Sequence, residues 1–345
     1  MTEINFRSDN VATVSPEILR ALDRVNQGPA ASYGDDAHST ELNRSFSALF
    51  EKDVTVFPVA TGTAANALGL AACARPYGAI YCHEHAHIHT SEGAATEAFT
   101  GGAKLLPLPG DGFRLSAESL ADAVRRADWG VRNRAQPDAV SITQATEHGT
   151  IYRLDELAAL GEIAHGAGLK FHMDGARFAN ALATLGCTPA EMSWRRGVDI
   201  LSFGATKNGA MSSEAIVVFD PSLVEPLSYR LRRAGQTWSK MRFAAAQLLA
   251  YVEDGLYLRS ATRANALASR LGVAMAAVPG VTLLAPVEAN LVFLAMAPAM
   301  VDALIAGGVR VARRSPGVIR LVTRFDGSDE DVDRFVALAG QIAGG

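Results

Sequence analysis

Lys207 lies in FGATKNGAMSSEA (203–215), directly after the apolar run DILSF. Most lysines are solvated loop residues, but Gly204, Ala205, Gly209 and Ala210 leave room beside this ammonium for a bulky ligand. A lysine desolvated in such a pocket loses part of its proton affinity and becomes a usable amine nucleophile, which is what a Schiff base with an aldehyde cofactor requires. Upstream, LKFHMDGARFAN (169–180) ends an apolar run on Asp174, with Arg177 three residues further on. A carboxylate at the end of a buried strand is costly unless it meets a cation or donors. The pyridinium of pyridoxal phosphate is such a cation, and an acid that keeps that nitrogen protonated lets electrons from a bond breaking at Cα flow into the ring. Arg177 could grip a carboxylate through two bonds, although an Asp–Arg structural pair at a strand end is the plainer reading.

Two further segments bear on the same chemistry. In VATGTAANALGL (59–70) a strand runs into small residues and opens a helix. Backbone N–H groups around Gly62 and Thr63, with the hydroxyls of Thr61 and Thr63, would form an anion cradle for a phosphate. The segment fits neither G-x-G-x-x-G nor the P-loop, which disfavours a dinucleotide or ATP; an ordinary N-cap turn is the bland alternative. His83, His85, His87 and His89 alternate after the run 79–82, and HEHAH (83–87) satisfies the zinc-protease pattern H-E-x-x-H. That pattern needs both histidines on one helical face, whereas here it follows a short strand, so no metal site is expected. An imidazole stacked on a flat cofactor ring is the better functional reading.

These residues need a scaffold. Strand-like runs at 54–59, 79–82, 104–108, 139–143, 169–173, 199–203 and 215–219 alternate with helical spacing at 63–74, 116–127 and 155–167. Ser116 and Ser119 are candidate N-terminal signals for the second of these helices. The alternation predicts crossover connections and a mostly parallel sheet covered on both faces, with its chemistry beyond the carboxyl ends of the strands. From about 221 to 272 the Arg- and Ala-rich composition reads as long helix. Strand-like runs return at 281–284, 291–295 and 318–322, followed by a closing helix from about Asp329. The division this suggests is an N-terminal segment (1–20) docked on the rest, a large α/β domain (21–225), a connecting helix (226–255) and a small α+β domain (256–345).

Composition fits that division. With 49% hydrophobic and 20% charged residues among 345, the chain can bury a sizeable core and is neither disordered nor fibrous. A net charge of −4 gives no electrostatic reason to expect nucleic acid. No run approaches a membrane span, and the first residues carry no signal-like apolar stretch. The three cysteines form no disulfide framework, so a cytoplasmic protein is expected.

Taken together, FRSDN (6–10), SYGDD (32–36), TGTAAN (61–66), HMDGARFANA (172–181), FGATKNGA (203–210) and VIRLVTRFD (318–326) resemble the threonine aldolase family. That family belongs to the β-eliminating lyase superfamily of aspartate-aminotransferase-like, fold type I pyridoxal phosphate enzymes. The resemblance runs over nearly the whole chain. It implies that Lys207 carries the cofactor, Asp174 pairs with the pyridinium, and Gly62 and Thr63 hold the phosphate. It also implies that His87 stacks over the ring, while Ser8, Arg177 and Arg320 bind the substrate carboxylate. In TQATEHGT (143–150), Glu147 stands where the family often has a histidine that contacts the substrate hydroxyl, with His148 beside it. Gly204 stands where many relatives have a serine, which leaves one phosphate contact unassigned.

The implied reaction is retro-aldol cleavage of L-threonine, L-allo-threonine or a bulkier β-hydroxy-α-amino acid such as phenylserine to glycine and an aldehyde. His87 is the first candidate for the base at the β-hydroxyl, with Glu147, His148 or an ordered water as alternatives. The family further implies a homotetramer built from dimers. Competing readings are β-elimination to a keto acid and ammonia on the same scaffold, a zinc hydrolase using HEHAH, and a non-catalytic protein that kept the fold.

Overall fold

Seven short strands form the sheet that carries the chemistry, and one of them runs against the rest. The computed structural model describes residues 3–344, so the ends of the 1–20 and 256–345 spans proposed above lie outside the described residues. In chain order the strands are β1 (Ile4–Asn5), β2 (Thr55–Val59), β3 (Gly78–His83), β4 (Lys104–Leu108), β5 (Gln136–Thr143), β6 (Lys170–Gly175), β7 (Ile200–Phe203) and β8 (Glu214–Val218). They are followed by β9 (Thr282–Leu283), β10 (Leu291–Ala295), β11 (Val309–Arg310), β12 (Ala312–Ser315) and β13 (Val318–Val322). The large sheet has the order β2-β8-β7-β6-β5-β3-β4. Its pairs are parallel from β4 through β7, and β8 is antiparallel to both its neighbours. The mostly parallel α/β sheet expected from the alternation is the one present.

The reversal at β8 matters for position. Parallel neighbours need a crossover of a dozen or more residues, whereas antiparallel neighbours are joined by a short turn. The chain therefore leaves β7, makes one 3₁₀ turn at Thr206–Asn208 that carries Lys207, and returns in β8. Lys207 is thereby held at the carboxyl end of β7, beside Asp174 at the end of β6. The helices that cover the sheet are capped as expected at two places. Thr61 accepts from the Ala64 N–H at the start of the helix Gly62–Cys73, and Ser116 accepts from the Ser119 N–H at the start of Ala117–Arg125.

The stretch read as one long helix is three. Val224–Arg233 ends before Gly235, which takes a positive φ of 71°. Arg242–Val252 is separated from Leu256–Ala276 by a turn in which Asp254 and Gly255 have φ of 49° and 68°. Left-handed residues cannot continue a right-handed helix, and Gly255 adopts that conformation at little cost. The last of the three helices leads into an antiparallel sheet, β12-β13-β10-β9, which is closed by the helix Asp329–Gly344. This sheet has its own buried cluster, including Leu271, Met275, Leu294, Leu304, Leu321 and Phe335. Beside it, the N-terminal segment forms a separate two-stranded sheet, in which β1 pairs parallel with β11. Among the described residues, no helix is long and apolar enough to cross a membrane.

Candidate active site

The carboxyl ends of β2, β3, β5, β6 and β7 open on one cavity of about 270 Å3, lined by Thr61, Gly62, Thr63, His87, Glu147, Asp174 and Lys207 among others. Six of these were singled out from sequence segments far apart in the chain, and Glu147 by the family resemblance. Lys207 makes no hydrogen bond or ion pair among the described residues, so its amine is uncommitted, while its charge acts on Asp9, Asp174 and Glu214.

Asp174 is buried on β6. One oxygen accepts from the Ala176 N–H at 3.0 Å and the other from Asn66 Nδ2 at 3.0 Å. Burial, with the negative charge of Glu92 added, pushes its carboxyl up, so an ionised Asp174 calls for a cation in the cavity. Asn66 also donates to Glu92 Oε1 at 2.8 Å, and the same oxygen meets His87 Nδ1 at 2.7 Å. The hydrogen bond to Glu92 raises the proton affinity of His87 more than burial lowers it.

At the β2 end, the Thr61 hydroxyl serves the helix cap. The N–H groups of Gly62 and Thr63 have no protein partner, as the first turn of a helix dictates, and a Cβ at Gly62 would meet nothing within 4 Å. The Thr206 hydroxyl lines the same end, buried near Glu214 and without a close hydrogen-bond partner among the described residues. Its backbone N–H and that of Ala205 donate to Glu214, a carboxyl pushed up by burial. Gly204, where many relatives have a serine, has no room for a side chain. A Cβ there would come within 2.5 Å of the Ala176 carbonyl oxygen, so the turns after β6 and β7 touch backbone to backbone.

Arg177 does not pair with Asp174. Its Nε and Nη2 donate to Asp9 at 2.9 and 3.1 Å, in a pair that is almost wholly buried and further held by Asn290. The side chain of Arg320 on β13 makes no hydrogen bond among the described residues; burial first, then Arg314 and Arg177, lower its guanidinium to about 10. An unpaired, partly buried guanidinium of this kind is a receptor for an anion. Ser8 accepts from the Asn10 N–H at the start of the same N-terminal turn. His83 ends β3 and accepts from the His85 N–H, whereas His87 opens the short helix His87–Thr90, so HEHAH does not share one helical face. His148 lies outside the cavity lining, stacked between Phe113 and Phe293.

Asn66, Glu92, Thr206, Glu214 and Asp9 were given no role from sequence. Asn66 carried a usable signal, as the one amide in an otherwise small and apolar helix segment. Glu214, an acid heading the apolar run AIVV, carried another.

The beta-eliminating lyase family matches residues 5–299. The low specificity L-threonine aldolase of Pseudomonas sp. (strain NCIMB 10558) is 44% identical over 306 residues, covering 88% of each chain. Its counterpart from Pseudomonas aeruginosa is 45% identical over the same length and coverage. Among solved structures, the threonine aldolase of Leishmania major superposes with a TM-score of 0.91 at 25% identity, covering 98% of this chain and 99% of that one.

Proposed function

The chain belongs to the beta-eliminating lyase family, alongside its threonine aldolases, and from that premise we propose that it cleaves L-threonine and related β-hydroxy-α-amino acids to glycine and an aldehyde. The observation that carries this reading is the convergence of an uncommitted lysine, a buried acid and an open helix N-terminus on one cavity. The residues fit pyridoxal 5'-phosphate. Two free N–H groups at Gly62 and Thr63, with the unpartnered Thr206 hydroxyl, suit a phosphate. Asp174, acid and buried, suits a ring nitrogen that must stay protonated. When bound, that cofactor supplies a cationic ring conjugated with the substrate nitrogen, into which electrons from a bond breaking at Cα can move.

The protein's own groups do the rest. Lys207 would be the amine that holds the cofactor through its aldehyde. Asp174 holds the proton on the ring nitrogen, and Asn66 fixes the acid. His87 offers a flat imidazole at the cavity wall. Arg320, the free Nη1 of Arg177, and Ser8 receive the substrate carboxylate, which fixes the bond at Cα to be broken. Three unpaired cysteines support a cytoplasmic setting. The resemblance to the threonine aldolase family supports a tetramer of paired dimers.

The test is direct. Incubated with L-threonine and pyridoxal phosphate, the protein is expected to release glycine and acetaldehyde in equal amounts. Lys207→Ala is expected to abolish both this turnover and the visible absorbance of the bound cofactor while still folding. Ammonia and a keto acid would indicate β-elimination instead, and an active Lys207→Ala would overturn the site.

A further inference from the structure

We infer that Glu147 is the residue that takes the proton from the substrate's β-hydroxyl, an assignment that rests on the aldolase reading above. His87 and His148 are the alternatives by chemistry; the structure holds His87 at one ring nitrogen and places His148 outside the cavity lining. The His148 ring is stacked on Phe113 with centroids 3.4 Å apart and on Phe293 at 4.7 Å, and it lies outside the cavity lining. Burial, with His85 adding to it, lowers that imidazole to about 4.

His87 reaches the cavity, but its Nδ1 faces Glu92 at 2.7 Å, and Glu92 is fixed in turn by Asn66. The Glu92 hydrogen bond and the charges of Glu147 and Asp174 raise the proton affinity of His87, and its Nδ1–H is spent on Glu92. Glu92 thereby fixes the orientation of the His87 ring at the cavity wall.

Four carboxyls line the cavity, and three are committed. Glu92 serves His87 and Asn66, Asp174 serves Asn66 and Ala176, and Glu214 serves Ala205 and Thr206. Glu147, half-buried on the loop after β5, makes no hydrogen bond or ion pair among the described residues. It lines the same cavity as Lys207, Asp174 and His87, and its charge acts on His87, Arg177 and Arg320. An acceptor there can take the hydroxyl proton as the O–H electron pair becomes the second bond of the aldehyde carbonyl. The Cα–Cβ pair stays with the glycine carbon, conjugated with the cofactor, and the proton on Glu147 leaves to water once the aldehyde has departed.

The experiment uses the cofactor-loaded enzyme. Glu147→Gln keeps the shape but not the proton acceptor. It is expected to lower kcat for L-threonine by about 100-fold or more, the scale of general-base catalysis. The dissociation constant for glycine, which has no β-hydroxyl, should stay within about two-fold when measured by calorimetry. Glu147→Asp, which keeps the carboxylate on a shorter stem, should recover part of the loss and carries the comparison if the glutamine variant misfolds. Wild-type turnover with Glu147→Gln within about three-fold of it overturns this assignment alone. A ten-fold loss of glycine affinity does the same, since it would make Glu147 part of the carboxylate site. A wild-type enzyme that releases no glycine from L-threonine overturns the aldolase reading, and this assignment with it.

Discussion

His172 has no exposed surface, and its two ring nitrogens meet the hydroxyls of Ser141 at 2.8 Å and Ser202 at 3.1 Å, two residues before Asp174 on the same strand. Burial lowers this imidazole to about 3. An unfolded chain binds the proton near pH 6.5, and the folded one does so only near 3. The stability contributed by the neutral ring is therefore complete above about pH 6.5 and is lost progressively as pH falls from there toward 3. The urea midpoint of the wild type is expected to drop between pH 7 and pH 5 more steeply than that of His172→Gln. Parallel pH dependence in the two proteins would show that this histidine is not the cause. At this scale the sequence was readable where a charge stood against its surroundings, as Lys207 does among small residues and Asp174 at the end of an apolar run. Glu92 could not be read, because its meaning depends on Asn66 and Asp174, 26 and 82 residues away, and only the folded sheet brings the three together.

Elements fix how closely these side chains can meet. The turns after β6 and β7 are joined by the Gly204 N–H donating to the Gly175 carbonyl at 3.0 Å, and a Cβ at Gly204 would lie 2.5–2.7 Å from the backbone of Ala176. Backbone cannot swing aside as a side-chain tip can, so Gly204→Ser must push apart the loops that carry Lys207 and Asp174. A loss of about 1–3 kcal/mol is expected, the range for overpacking, with weaker retention of the cofactor absorbance. Gly62→Ala is the control, since its Cβ would meet open space and the denaturation midpoint should hold. Equal stability of wild type and Gly204→Ser would refute the contact. The strands and the helices between them were legible because alternation with short apolar runs has few other solutions. The stretch 221–272 was not, because its helix-favouring composition hides where tertiary packing turns the chain. Val224–Arg233 packs on Gly62–Cys73, and Leu256–Ala276 packs on Phe178–Leu185, two directions that one straight helix cannot serve. Gly235 and Gly255 were the visible punctuation marks at its two breaks.

Across the whole molecule residues 4–15 tie the large and small parts together beside the active site. β1 pairs with β11 of the small part, Thr13 donates to Asp326, and the Ser15 N–H donates to the Gly209 carbonyl two residues past Lys207. Asp9 is the knot, gripped by Arg177 from the large part and by Asn290 from the small one. Burial pushes its carboxyl up, but the charge of Arg177, with Lys207 behind it, prevails and holds it below the usual range. The motif FRSDN announced that this segment matters, yet nothing in its spacing said that Asp9, rather than Asp174, would neutralise Arg177. Breaking a buried pair from one side leaves an uncompensated charge, which costs about 3–5 kcal/mol, whereas removing both partners is far milder. Asp9→Asn is therefore expected to lower the denaturation midpoint sharply and to raise KM, since Arg177 would lose its fixed orientation toward the substrate carboxylate. Adding Arg177→Met should restore most of the stability and none of the activity. A double variant no more stable than Asp9→Asn alone would mean that hydrogen bonding to Asn290, and not charge compensation, is what joins the two parts at this point.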